Sequence, residues 1–298
     1  MKFLKSIGIE YLLLLAFTML LFRFGFLEQQ PHLPLALSKF QHILLVIGAV
    51  CIAAGGFLIN SITNTTDGNT INEDTGYYIY GAFTLVGLGI GFYLCDYIGH
   101  WNFLLFFALI VGTLYFYATN LKQSLLLGNI VIAFIAVMIF VAIGVFNLYP
   151  VVFPDNQSYL RTIFEILMDY GIFTFAITFI LTLIIDLKNT DADYNTGINT
   201  LPIVLGRDRT VKAVFFTTLI PVAFLIYYLN ANLASLTWAM GYCLLFILGP
   251  IIVFMFKLWS AKTQKDFVLL ATILKIVLFF TAVSVSVITY NILLNAKG

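Results

Sequence analysis

The stretch that decides how this chain is read runs Asp186-Leu-Lys188-Asn189-Thr-Asp191-Ala-Asp193-Tyr-Asn195-Thr-Gly197-Ile-Asn-Thr200-Leu201-Pro202-Ile-Val-Leu-Gly206. It follows a mostly apolar segment, 161–186, that is long enough to cross a bilayer, since about 20 helical residues span the hydrocarbon. Carboxylates crowded at such an end, here Asp186, Asp191 and Asp193, repel one another and lose solvation, a cost that a hard divalent cation offsets. A solvated turn has the same composition. The specific rival is a calcium loop, because Asp191-x-Asp193-x-Asn195 has the opening spacing of an EF-hand. That reading fails at Gly197, which falls one position late, and at Pro202, which stands where the bidentate Glu belongs.

Working outward, the whole chain has the composition of a membrane protein. Of its 298 residues 61% are apolar and only 10% are charged, against roughly a quarter charged in soluble domains. The mean hydropathy of +1.02 agrees, and the expected class is all-α and polytopic. A formal net charge of +1 provides no basic field for nucleic acid. Cys51, Cys95 and Cys243 lie in or beside apolar runs without metal-ligand or disulfide spacing and read as packing residues. Met1-Lys-Phe-Leu-Lys5 and the apolar run to Phe22 imitate a secretory signal, but Arg23 and Phe24 follow where small cleavage-site residues belong, so a retained first span is expected.

Nine segments of spanning length can be read, at 8–27, 41–60, 77–95, 101–118, 125–149, 161–186, 211–229, 234–257 and 267–294. Nine spans put ten Lys and Arg on the N-terminal side of the membrane and four opposite, which predicts a cytoplasmic N-terminus. Both polar loops, 60–76 and 186–200, then fall on the cytoplasmic side, after the second and sixth helices. A single domain over 1–298 is expected, with helices 1–4 carrying the first loop and helices 5–9 the second. This spacing suggests two related halves converging over a shared site.

The run D-x-x-N-x-D-x-D-x-x-x-G-x-x-T-L-P-x-x-x-G resembles the second aspartate-rich motif of the UbiA superfamily of intramembrane prenyltransferases. Asp186, Asp193, Gly197, Thr200, Leu201, Pro202 and Gly206 match in register, and Asn189 stands where the family has aspartate. Ala54-Gly55-Gly56-Phe-Leu-Ile-Asn60 resembles the end of the family's second helix, and Leu121-Lys122 with Leu127-Gly128-Asn129 its loop between helices four and five. The resemblance implies transfer of an isoprenoid from a prenyl diphosphate to a small aromatic or lipid-like acceptor, usually with magnesium. It also implies roles for residues. Asp186 and Asp193 would serve catalysis and hold metal with Asn189, with Asp191 a possible further ligand and Asp67 a shifted carboxylate from the first loop. Asn60, Asn64, Lys122 and Lys188 would bind substrate. Membrane lipids complete the expected partners.

The chain also departs from the pattern. After Asn60, the next three acidic positions of the first motif hold Ser61, Asn64 and Gly68, and no Lys or Arg occurs between Lys39 and Lys122. Two other readings therefore stand beside the enzyme: a family member that has lost catalysis and binds lipid or a partner, and a transporter using Glu165, Asp169 and Lys275 as coupling charges. Helix capping is the structural alternative for Asn60 and Asn64. Trp101, Trp238 and Trp259 fit an interfacial aromatic belt, and His32 and His42 have no ligand spacing.

Overall fold

The computed structural model describes residues 2–63, 72–195 and 197–296. Nine helices among the described residues are long and apolar enough to cross a membrane. They are α1 (Ile9–Gln29), α2 (Lys39–Ile62), α3 (Glu73–Tyr97), α4 (Trp101–Thr119), α5 (Leu127–Val151), α6 (Gln157–Asn195), α7 (Arg207–Asn232), α8 (Thr237–Ser260) and α9 (Gln264–Asn295). The protein is all-helical and multi-pass, as expected from its composition.

Cα packing divides the chain into two compact units. One comprises Met1–Arg23, His32–Lys122 and Ile139–Leu167; the other Phe24–Pro31, Gln123–Met138 and Met168–Gly298. Breaks between the units fall at Lys122/Gln123, between helices four and five, and again within α5 and α6.

In the first unit α2 packs against α1, α3 and α4. Its contact with α3 depends on glycine: a methyl group at Gly87 would lie 2.5 Å from Ile52 Cγ1 and 3.2 Å from the Gly48 carbonyl oxygen. Close approach of backbones is how helices gain van der Waals contact where lipid removes the hydrophobic drive between them. Buried polar groups here find partners on neighbouring segments. Arg23 Nη2 donates to the Leu37 carbonyl at 2.9 Å. The buried His42 meets the Met19 carbonyl through Nε2 at 3.2 Å and Asn147 Nδ2 through Nδ1 at 3.3 Å. A carbonyl can only accept, so His42 carries its proton on Nε2 and accepts from Asn147. His42 is therefore a satisfied core residue.

In the second unit α8 packs on both α7 and α9. The start of α9 is set by a reciprocal cap. Thr263 Oγ1 accepts from the Asp266 amide at 3.3 Å, and Asp266 Oδ2 accepts from the Thr263 amide at 2.8 Å, satisfying donors that a helix N-terminus otherwise leaves open.

Candidate functional site

The aspartate run is where sequence and structure differ most. The segment expected to become a loop at residue 186 stays helical to Asn195. Nothing between Asp186 and Asn195 breaks a helix, and polar side chains project into solvent from one as readily as from a loop. The helix stops at Gly197, whose φ of 72° is the left-handed conformation that side-chain-bearing residues adopt at a cost. Ile198 N donates to the Asp193 carbonyl at 3.0 Å and Gly197 N to the Tyr194 carbonyl at 3.2 Å. This pair of bonds is a Schellman cap.

Helical continuation sorts the carboxylates by face, because each residue advances about 100°. Asp193 lies about 20° round from Asp186 and Asn189 about 60°, so these three share a face, with Asp186 and Asp193 about 10 Å apart along the axis. Asp191 lies about 140° away and Lys188 about 160°, on the other side of the helix. There Asp191 Oδ1 pairs with Arg207 Nη2 at 2.7 Å. This pair borders a surface recess of about 430 Å³ shared with Thr190, Asn195 and Pro202. The expected contributions of Asp191 and Lys188 to one site with Asp186 and Asp193 thus meet a geometric obstacle.

The rest of the motif has structural work. Thr200 begins the short helix Leu201–Leu205, Pro202 occupies its first turn, and Gly206 ends it at φ 84°, ψ 153°. That backbone region is essentially restricted to glycine, and α7 starts at the next residue. Gly197, Thr200, Pro202 and Gly206 shape the backbone here, and the side-chain oxygens on the shared helix face belong to Asp186, Asn189 and Asp193.

One further residue belongs to this face. Asn129, in the first turn of α5 and nearly buried at 7% exposure, donates from Nδ2 to Asp186 Oδ2 at 2.8 Å. Sequence reading placed Asn129 in a recognisable segment without a role. No local signal links residues 57 positions apart.

In the other unit Asn60 lies inside α2, near its end. Thr63 supplies the C-cap, its amide bonding the Ile59 carbonyl at 3.0 Å, so capping does not account for Asn60. Its Oδ1 is buried and, among the described residues, accepts no hydrogen bond. Lys122 is half-buried in the 3₁₀ turn Leu121–Gln123. Asn64 and Asp67 lie outside the described residues.

Among the described residues no three His, Cys, Asp or Glu side chains form a ready-made metal cluster. This arrangement is compatible with a small hard cation that takes one or two carboxylates and completes its shell with phosphate oxygens and water. Asp186 and Asp193, two turns apart, are too widely spaced to close around one bare ion. Their all-oxygen chemistry, with an amide oxygen available at Asn189, suits such an ion bound together with a polyanion.

Two of the charges singled out for transport, Glu165 and Asp169, lie one turn apart on α6. Glu165 Oε1 accepts from Arg161 Nε at 2.8 Å on an exposed face. Asp169 lines a cavity of about 40 Å³ with Tyr170, Tyr228 and Ser284, about 25 Å along α6 from Asp186. There the Tyr170 hydroxyl and Ser284 Oγ are hydrogen-bonded at 2.9 Å.

No curated protein sequence matches the chain. Among solved structures it is similar to a digeranylgeranylglyceryl phosphate synthase, at TM-score 0.63 and 14% identity over 97% of this chain and 99% of that one. A UbiA homologue from Archaeoglobus fulgidus bound to DMAPP and Mg2+ aligns at TM-score 0.63 and 16% identity, over 95% and 99%. The apo structure of a UbiA homologue from Aeropyrum pernix K1 aligns at TM-score 0.66 and 15% identity, over 96% and 97%. At these identities the likeness establishes the fold. The model of the UbiA prenyltransferase family matches residues 71–290, a span that includes the helix-face, cap and turn residues described above from Asn129 to Gly206. With the nine apolar helices and the shared fold, this match places the chain in the UbiA prenyltransferase family.

Proposed function

We propose that this protein is an intramembrane prenyltransferase, moving an isoprenoid from a prenyl diphosphate to a small aromatic or lipid-like acceptor with magnesium as cofactor. The observation that carries the reading is the single helix face bearing Asp186, Asn189 and Asp193. Such a face suits a diphosphate only if cations lie between, since carboxylates and phosphates repel. Magnesium would neutralise charge developing on the departing diphosphate and make the allylic carbon electrophilic. Asp186 and Asp193 hold and orient the cation-bound diphosphate, and Asn189 contributes a neutral oxygen. Asn60, Asn64 and Asp67 supply the first motif's polar contribution, with the buried acceptor of Asn60 in keeping with that role. Lys122 meets the diphosphate as a point charge. The apolar helix walls take the prenyl tail, and both motifs face the cytoplasm.

The ligands of the A. fulgidus homologue, DMAPP in one structure and GPP in another, each with Mg2+, supply the probes. The purified chain in lipid nanodiscs is expected to retain labelled geranyl diphosphate in magnesium and to release it in EDTA. Transfer to a panel of phenolic and glycerol-phosphate acceptors should show the same dependence. Retention that ignores magnesium, together with no product from any acceptor, refutes the catalytic reading. Retention without transfer would instead favour the reading in which catalysis has been lost and binding kept.

A further inference from the structure

The bond between Asn129 and Asp186 has more than one feature of a positioning contact. Asp186 is half-buried in the interior of α6, nine residues before its end, where an unsupported carboxylate samples several rotamers. Asn129 is almost fully buried, so its side chain is itself held in place. An ionised carboxylate only accepts, which assigns the amide nitrogen to Asp186 and fixes the orientation of Asn129. The donor belongs to the first turn of α5, so Asp186 Oδ2 lies one side chain away from a helix N-terminus, where backbone N–H groups favour negative charge. The contact occupies only part of what the group can accept, because two carboxylate oxygens offer about four lone-pair sites.

We infer that Asn129 is a positioning residue: by donating to Oδ2 it orients the Asp186 carboxylate toward a divalent cation, and it sets how much of that cation the diphosphate complex requires. The inference rests on the metal-assisted reading above. It also gives that reading a specific economy. With Asn189 in place of an aspartate, α6 presents two carboxylates on this face, and orienting each one matters more than where three are available. Partners of this kind, outside the metal's own ligands, commonly change metal affinity ten- to a hundredfold (about 10–100) when removed.

The test uses the full chain in nanodiscs of phosphatidylcholine and phosphatidylglycerol, with Mn2+ as the spin probe and geranyl thiolodiphosphate as an uncleavable donor. Bound Mn2+ is read by electron paramagnetic resonance, so no turnover is needed. Wild type is expected to saturate, and Asn129→Ala to need about ten times more Mn2+ for half-saturation. Asn129→Leu, which keeps the branching of asparagine at Cγ but has no donor, is expected to show the same shift and guards against a cavity left in the alanine variant. Asn129→Gln, which keeps an amide, should recover part of the affinity. On an Asp186→Asn background Asn129→Ala should add nothing. Asn129 variants that bind Mn2+ as wild type does, or a full further loss on the Asp186→Asn background, overturn the positioning role alone. Wild type that binds no Mn2+ with the donor analogue overturns the metal-assisted reading and the positioning role with it.

Discussion

Exchanging Asp191 and Asp193 for asparagine, one at a time, separates two carboxylates that composition alone cannot tell apart. They are two residues apart in sequence and about 160° apart round α6. Asp193 shares the face of Asp186; Asp191 is 88% exposed and pairs with Arg207 at 2.7 Å. An exposed pair of this kind contributes about 0–1 kcal/mol, because water screens the charges and two side chains lose freedom. Asp191→Asn is therefore expected to lower unfolding stability by less than about 1 kcal/mol and to leave donor binding within about twofold, less than 0.5 kcal/mol. On the proposed function, Asp193→Asn removes a charged contact to the cation–diphosphate complex. Such contacts contribute about 1.5–3 kcal/mol, so binding should weaken roughly ten- to a hundredfold. Magnesium-dependent retention of labelled geranyl diphosphate measures both variants, with thermal unfolding in the same nanodiscs as a control for folding. Equal losses at the two positions, or a larger loss at Asp191, refute the division of α6 into a donor face and an ion-pair face.

Three further expectations follow from local geometry. Gly197→Ala places a side chain at φ 72°, and although no neighbouring atom obstructs it, the left-handed backbone should cost about 1–2 kcal/mol in a reversible unfolding assay; an unchanged stability would mean the helix ends differently. Gly87→Val should separate α2 from α3, because even a Cβ meets the Gly48 carbonyl oxygen at 3.2 Å, and is expected to lower the unfolding temperature far more than Gly81→Val, where the space is open. Thr263→Ala removes the reciprocal cap of α9 and should destabilise by about 1 kcal/mol without affecting donor retention; coupled loss of both would connect this helix end to the site.

The nine spans were legible because hydropathy is a sum over neighbours and needs no tertiary information. The expected segment 101–118 and the observed helix Trp101–Thr119 differ by one residue. The expected end of the sixth at 186 and the observed end at Asn195 differ by nine. Hydropathy reports where apolar side chains stop, whereas a helix ends where its backbone is capped, and Gly197 provides that cap. Glycine at this position was visible as a motif letter, but its role as a helix stop depended on φ.

The sequence by itself determined the environment and the family. Scarce charge over a long apolar chain leaves lipid as the only solvent that covers it, and the spacing from Asp186 to Gly206 carries the family pattern in one continuous segment. Tertiary structure decided which residues of that segment share a face. The helix turned Asp191 and Lys188 away from Asp186 and Asp193, and folding brought Arg207 to Asp191 and Asn129 to Asp186. Linear spacing converts to a common face only when the backbone conformation is known, and a hydrogen bond between residues 129 and 186 is a property of two packed helices that neither stretch of sequence contains.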